Sequence, residues 1–122
     1  MEKEDLKERT IQFSVRIVKL TGYLSESPDT DFLAREVFLA GTGVAIKYRW
    51  AACAEIQSEF NERMKPAVET THATLFWLEL LMECNFVKPE KIENLHREAE
   101  ELLQIFAASQ KTAKKNTKKV TS

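Results

Sequence analysis

The chain has 122 residues, enough for one hydrophobic core and short of the length at which chains divide into separate domains. Hydrophobic residues make up 43% and charged residues 30%, with three Gly and three Pro, a balance that suits a globular helical protein and excludes a disordered or turn-rich β chain. The net charge of −1 is unevenly spread: residues 111–122 hold Lys111, Lys114, Lys115, Lys118 and Lys119 with no acid, and subtracting these leaves 13 basic against 19 acidic residues in 1–110, a body near −6.

At the start of the chain, Met1-Glu2-Lys3-Glu4-Asp5 lacks the basic opening and apolar stretch of a signal peptide, and the most apolar run is broken by Glu79 and Glu83. A cytoplasmic location is expected. Cys53 and Cys84 lie within helical patterns and lack the spacing of a disulfide framework, so two buried free thiols are expected in place of a bridge.

Leu6, Thr10, Phe13, Ile17, Leu20 and Leu24 alternate spacings of four and three, the seam a bundle helix buries, and predict a first helix over about residues 4–24. Ser25 to Asp29 breaks it. Pro28, with Asp29 and Asp31, suits the first turn of the next helix, where a missing N–H is harmless and negative charge is favourable.

The second helix therefore starts near Pro28 and carries a core stripe at Leu33, Val37, Ala40, Val44, Tyr48 and Ala51. Its boundary with the third is poorly marked, and the turn is placed near residues 54–58. The third helix, about Ser58 to Cys84, turns Phe60, Met64, Ala67, Thr71, Leu75, Leu78 and Met82 inward, with a kink expected at Pro66. Asn85 can stop it and Pro89-Glu90 can start the fourth, in which Ile92, Leu95, Ala99, Leu102 and Phe106 repeat the seam to about residue 110. Short connections make neighbours antiparallel, so the predicted fold is an all-α, up-down-up-down four-helix bundle over 1–110, followed by a lysine-rich flexible tail over 111–122.

The second helix has more apolar surface than one packing face needs. Phe32, Leu39, Ile46 and Cys53 recur every seven residues beside the core stripe, flanked by Phe38 and Trp50, and each large side chain left in water forgoes about 1.5–3 kcal/mol. Gly41 and Gly43 each cost about 1 kcal/mol of helix propensity, which points to close approach by another backbone. The third helix adds Leu75-Phe76-Trp77-Leu78-Glu79-Leu80-Leu81, apolar nearly all round. A crowded monomer core would absorb one such helix; two favour self-association through Phe32, Leu39, Gly43, Ile46, Trp50, Phe76 and Trp77.

Two Glu-x-x-His pairs, Glu69/His72 and Glu93/His96, match the pairing that di-iron bundles project inward, but such a site needs a further inward Glu from each remaining helix and the first two seams contain no carboxylate. Both pairs lie off their own seams, so surface salt bridging is the better assignment and no metal or other cofactor is expected. No zinc-like Cys/His spacing, phosphate loop or nucleophile elbow occurs, and neither cysteine has a local base partner, so the chain is expected not to be an enzyme. Lys47 and Arg49 beside Tyr48 are the one basic-aromatic cluster, and with the tail lysines they form a weak candidate nucleic-acid surface.

Gly41-Thr42-Gly43-Val44, then Tyr48-Arg49 and Ala51-Ala52-Cys53, resembles a diverged form of QLLRSGTSVGANYREAC, and Glu59-Phe60, Leu75 to Leu81 and Glu98 to Phe106 through Lys111-Thr112-Ala113 continue in register. The chain thereby resembles, over nearly its whole length, the bacterial four helix bundle protein family, also called 23S rRNA intervening-sequence or S23-type proteins. The resemblance implies a bundle that assembles into a ring, a pentamer, with an unsettled biochemical role. Relatives of that family include the accessory protein of diversity-generating retroelements, which binds nucleic acid and a reverse transcriptase through a basic surface, so RNA, DNA or a reverse transcriptase are the partners implied for the alternative function. Where the family pattern has Arg, Asn and Glu this chain has Leu39, Lys47 and Trp50, and Ile56 replaces the Ser that caps the third helix. Polar features are thinned and apolar ones added, which favours an oligomer contact over a nucleic-acid surface.

Overall fold

The computed structural model describes the backbone of residues 3–121 and the side chains of residues 5–110. Four helices follow one another, α1 (Lys3–Leu24), α2 (Pro28–Ala52), α3 (Gln57–Glu83) and α4 (Pro89–Thr121). Each packs along its successor, α1 on α2, α2 on α3 and α3 on α4, whereas α1 and α4 touch only lightly. The result is the predicted up-down-up-down bundle, with an open seam between its first and last helices.

The sequence explains the helix ends. Ser27 is the extended N-cap of α2 and its hydroxyl accepts a long hydrogen bond from the Asp29 amide (3.4 Å), with Pro28 at the first helical position. Asn85 takes a left-handed φ of 59° just past α3. There the Phe86 amide bonds the Leu81 carbonyl and the Asn85 amide the Met82 carbonyl, the Schellman pattern that ends a helix. At the start of α3, Ile56 occupies the N-cap and supplies no side-chain bond.

All six seam residues of α1 and all five of α4 are buried. On α2, Ala40 is only half-buried and Gly41 takes the inward place, because Ile17 of α1 presses against it; on α3, Phe60 and Met82 are half-buried while Thr74 and Leu81 join the core. Tyr48 stacks on Phe106 with ring centroids 5.5 Å apart and planes nearly parallel, tying α2 to α4 through the middle of the bundle. Burial raises the Tyr48 phenol's pKa above its ordinary value.

Three further features differ from expectation. The turn between α2 and α3 falls at 53–56, slightly earlier than predicted. Cys53 and Cys84 are unbridged, as expected, but exposed, because they are the C-caps of α2 and α3 and helix ends reach the surface. Pro66 lies inside α3, as expected. The backbone of α4 continues helical to Thr121, past the end near residue 110 that the seam suggested; the side chains of the five lysines from Lys111 to Lys119 lie outside the described residues.

Candidate association surface

The buried polar residues among those described are five threonines, and each satisfies its hydroxyl by donating to a main-chain carbonyl: Thr10 to Lys7, Thr21 to Val18, Thr30 to Leu24, Thr71 to Ala67 and Thr74 to Thr70, at 2.6–3.0 Å. The core is thus a packing core, with no buried acid, base or histidine among the described residues to do chemistry. Nor do three His, Cys, Asp or Glu side chains converge there as metal ligands would.

The Glu-x-x-His pairs are drawn in different directions. Glu69 and His72 are both exposed. His96 Nε2 meets Glu79 of α3 at 2.9 Å and its Nδ1 lies 3.4 Å from Glu100, so its ion-pair partners are a residue across the α3–α4 interface and one a turn further along α4, with Glu93 taking no part. His96 thus makes the surface pairing expected of it, with its nearer partner supplied by packing against α3.

The outer face of α2 carries the surplus apolar surface. Phe32, Leu39 and Ile46, at intervals of seven, are 65%, 61% and 67% exposed, and Trp50 is 53% exposed. Their common face follows from helical geometry, since seven residues make almost two full turns. Trp50 does not hang free: the Arg63 guanidinium lies 4.6 Å from its ring centroid, donates to the Trp50 carbonyl at 3.0 Å and pairs with Glu59. That arrangement sets the indole as a fixed plate at the α2–α3 seam.

The other residues expected at the contact divide. Phe76 of α3 is 57% exposed and meets Trp77 edge to face at 5.2 Å, while Trp77 is half-buried and packs in part on the core. Gly43 is buried and corrects the expectation that it faces another subunit: a Cβ there would stand 3.0 Å from Thr70 Cγ2, so the close approach its missing side chain permits is made by α3 of the same chain. Gly41 likewise serves α1 of its own chain.

Sequence reasoning passed over four exposed apolar residues. Val15 and Val18 on α1 are exposed, and with half-buried Ile11 they form a spacing of four and three off the seam, a signal that was available. Ile56 is exposed because it heads α3 without turning inward. Phe38, noted only as a flank of the stripe, lines a shallow groove between α1 and α2 with Thr21, Ser25, Ala34 and Leu39.

Of the basic cluster, Lys47 is half-buried and Arg49 exposed, either side of Tyr48. Because Tyr48 stacks on Phe106, both lie at the end of the bundle toward which the last turns of α4 run. Gln110 confirms the neighbourhood, its amide reaching the Asn61 carbonyl of α3 at 3.5 Å.

The architecture matches a solved one. A crystal structure of a protein of unknown function from the S23 ribosomal protein family of Bacteroides thetaiotaomicron superposes with a TM-score of 0.80 at 24% identity, over 86% of this chain and 97% of that one. The two chains share a fold. No protein-family model and no curated protein matches this sequence. In this fold the exposed stripe lies along a single helix and not on a loop. None of the described helices is long and apolar enough to cross a membrane.

Proposed function

We propose that this protein is a non-enzymatic, cytoplasmic member of the S23-type, 23S rRNA intervening-sequence family that works as a homo-oligomeric scaffold or adaptor, a pentameric ring. The shared fold supports the family assignment. The observation that carries the association is the row Phe32, Leu39, Ile46 and Trp50, four large apolar side chains more than half exposed along one helix. Surfaces of that kind are uncommon on monomers, and burying each such side chain against a sister chain returns about 1.5–3 kcal/mol. Trp50 stiffened by Arg63 has the character of an interface anchor, an aromatic residue that loses little freedom on docking.

The experiment is a pair of surface substitutions, Leu39→Glu and Ile46→Glu, read by light scattering and by circular dichroism. Both side chains are clear of the core, so helicity should persist while the oligomer dissociates; variants that keep the wild-type mass would remove this face from the contact.

The second function, an RNA- or DNA-binding accessory protein that also engages a reverse transcriptase, is favoured by one observation. Tyr48 on Phe106 brings Lys47 and Arg49 to the end of the bundle where α4 leads into its lysine-rich last turns. Basic residues toward one end of an otherwise acidic sequence suit a phosphate backbone. Deleting residues 111–122 should then abolish a salt-sensitive nucleic-acid complex, and a wild-type protein that shifts no nucleic acid at low salt would end the idea.

A further inference from the structure

The weak contact between α1 and α4 leaves a groove of about 280 Å³ lined by Arg16, Lys19, Leu20, Tyr23, Lys91 and Leu95. Its floor is apolar, since Leu20 and Leu95 are buried core residues, and its wall is the half-open ring of Tyr23. Its rim is cationic, with three basic side chains and no carboxylate in the lining. In a body with six more acids than bases, that is a local reversal of charge.

Two details sharpen the reversal. Arg16 and Lys19 form no ion pair among the described residues, although Glu98 lies near enough to Arg16 to feel its charge; the Glu98 carboxylate is itself held by Arg9 at 2.7 Å. Lys91 sits in the first turn of α4, where the helix dipole disfavours a cation, and its ammonium lies over the Tyr23 ring at 4.7 Å from the centroid. Three cations lining one groove, one of them at a helix N-terminus, are favoured by an anion placed among them.

We propose that the α1–α4 groove is a binding site for a small phosphate monoester with a planar or apolar body, the phosphate seated among Arg16, Lys19 and Lys91 and the body laid on Leu20 and Leu95 against Tyr23. The volume, just below the range of drug-sized sites, suits a ligand about the size of an aryl phosphate. The site stands apart from the α2–α3 face and from the Lys47–Arg49 end, because Tyr23 and Lys91 flank the turns that join α1 to α2 and α3 to α4.

The test is titration of the full chain at low salt with phenyl phosphate, inorganic phosphate and benzyl alcohol, followed by NMR of the Tyr23 ring and the Leu20 and Leu95 methyls. Phenyl phosphate should saturate below about 10 mM, at least about tenfold more tightly than either fragment probe, since both halves of the groove contribute. Lys19→Gln with Lys91→Gln should weaken it by about tenfold or more through lost charge-assisted contacts, while Lys47→Gln with Arg49→Gln leaves it unchanged. No saturation, inorganic phosphate binding as tightly as phenyl phosphate, or equal weakening by the two pairs of substitutions would each overturn the proposal.

Discussion

Gly41 and Gly22 form a matched pair for testing how closely α1 and α2 pack. A Cβ added at Gly41 would stand 2.6 Å from Ile17 Cδ1 and Cγ1 and 2.7 Å from Cγ2, whereas one added at Gly22 meets nothing within 4 Å. Both branches of Ile17 are in contact and the residue is fully buried, so rotating one side chain does not clear the space; the helices themselves must move apart. Gly41→Ala gains about 1 kcal/mol of helix propensity and incurs about 1–3 kcal/mol of overpacking, so a net loss of about 0–2 kcal/mol is expected. Gly22→Ala, near the end of α1, gains up to about 1 kcal/mol and loses nothing. Urea unfolding followed by circular dichroism, at one fixed protein concentration because association adds to apparent stability, measures both. Adding Ile17→Ala to Gly41→Ala should cost less than Ile17→Ala alone, since the new methyl then fills part of the cavity. A Gly41→Ala variant stabilised as much as Gly22→Ala would refute the close packing of α1 on α2.

Ile56→Ser should raise stability by about 1 kcal/mol, because the exposed N-cap of α3 makes no side-chain bond and a hydroxyl can accept one from the first turn; a rise in Tm checks it. Asn85→Gly should be neutral or stabilising and Asn85→Ala destabilising by about 1 kcal/mol in the same assay, as a left-handed φ of 59° requires. The hydrogen bonds from Arg9 hold the Glu98 carboxyl below the usual glutamate range, so this pair's contribution is fully present above the unfolded-state pKa near 4.3 and is lost as pH falls through the lower folded value. NMR titration should place Glu98 below the usual glutamate range, and Arg9→Ala should return it upward while costing about 1 kcal/mol or less, given the partial exposure of the pair.

Much of this architecture was legible because one periodicity dominates. The seams from Leu6 to Leu24 and from Ile92 to Phe106 are buried at every position, since each helix faces the core along a single stripe. The α2 seam was legible except at Ala40 and Gly41, where periodicity cannot register that Ile17 drives into the space a glycine leaves. The surplus face of α2 could be read from intervals of seven, and its members are exposed; the role of Gly43 could not, because a glycine made for Thr70 of α3 and one made for another subunit look alike in sequence. Cys53 fell on the apolar repeat, yet the helix ends before it, and only the backbone bonds of the turn decide that. Least legible were the meetings across helices: Arg63 with Trp50, His96 with Glu79, and Lys91 with Tyr23 pair residues whose separation in sequence carries no period.

The central claim is that the outer face of α2 is covered by sister chains. Sedimentation equilibrium of the wild-type protein at micromolar concentration tests it most directly. A single species of roughly 70 kDa, five times the 14.1 kDa of one chain, is the predicted result for a pentameric ring. A species that stays at 14.1 kDa across the concentration range, with Leu39, Ile46 and Trp50 left in water, would contradict the account.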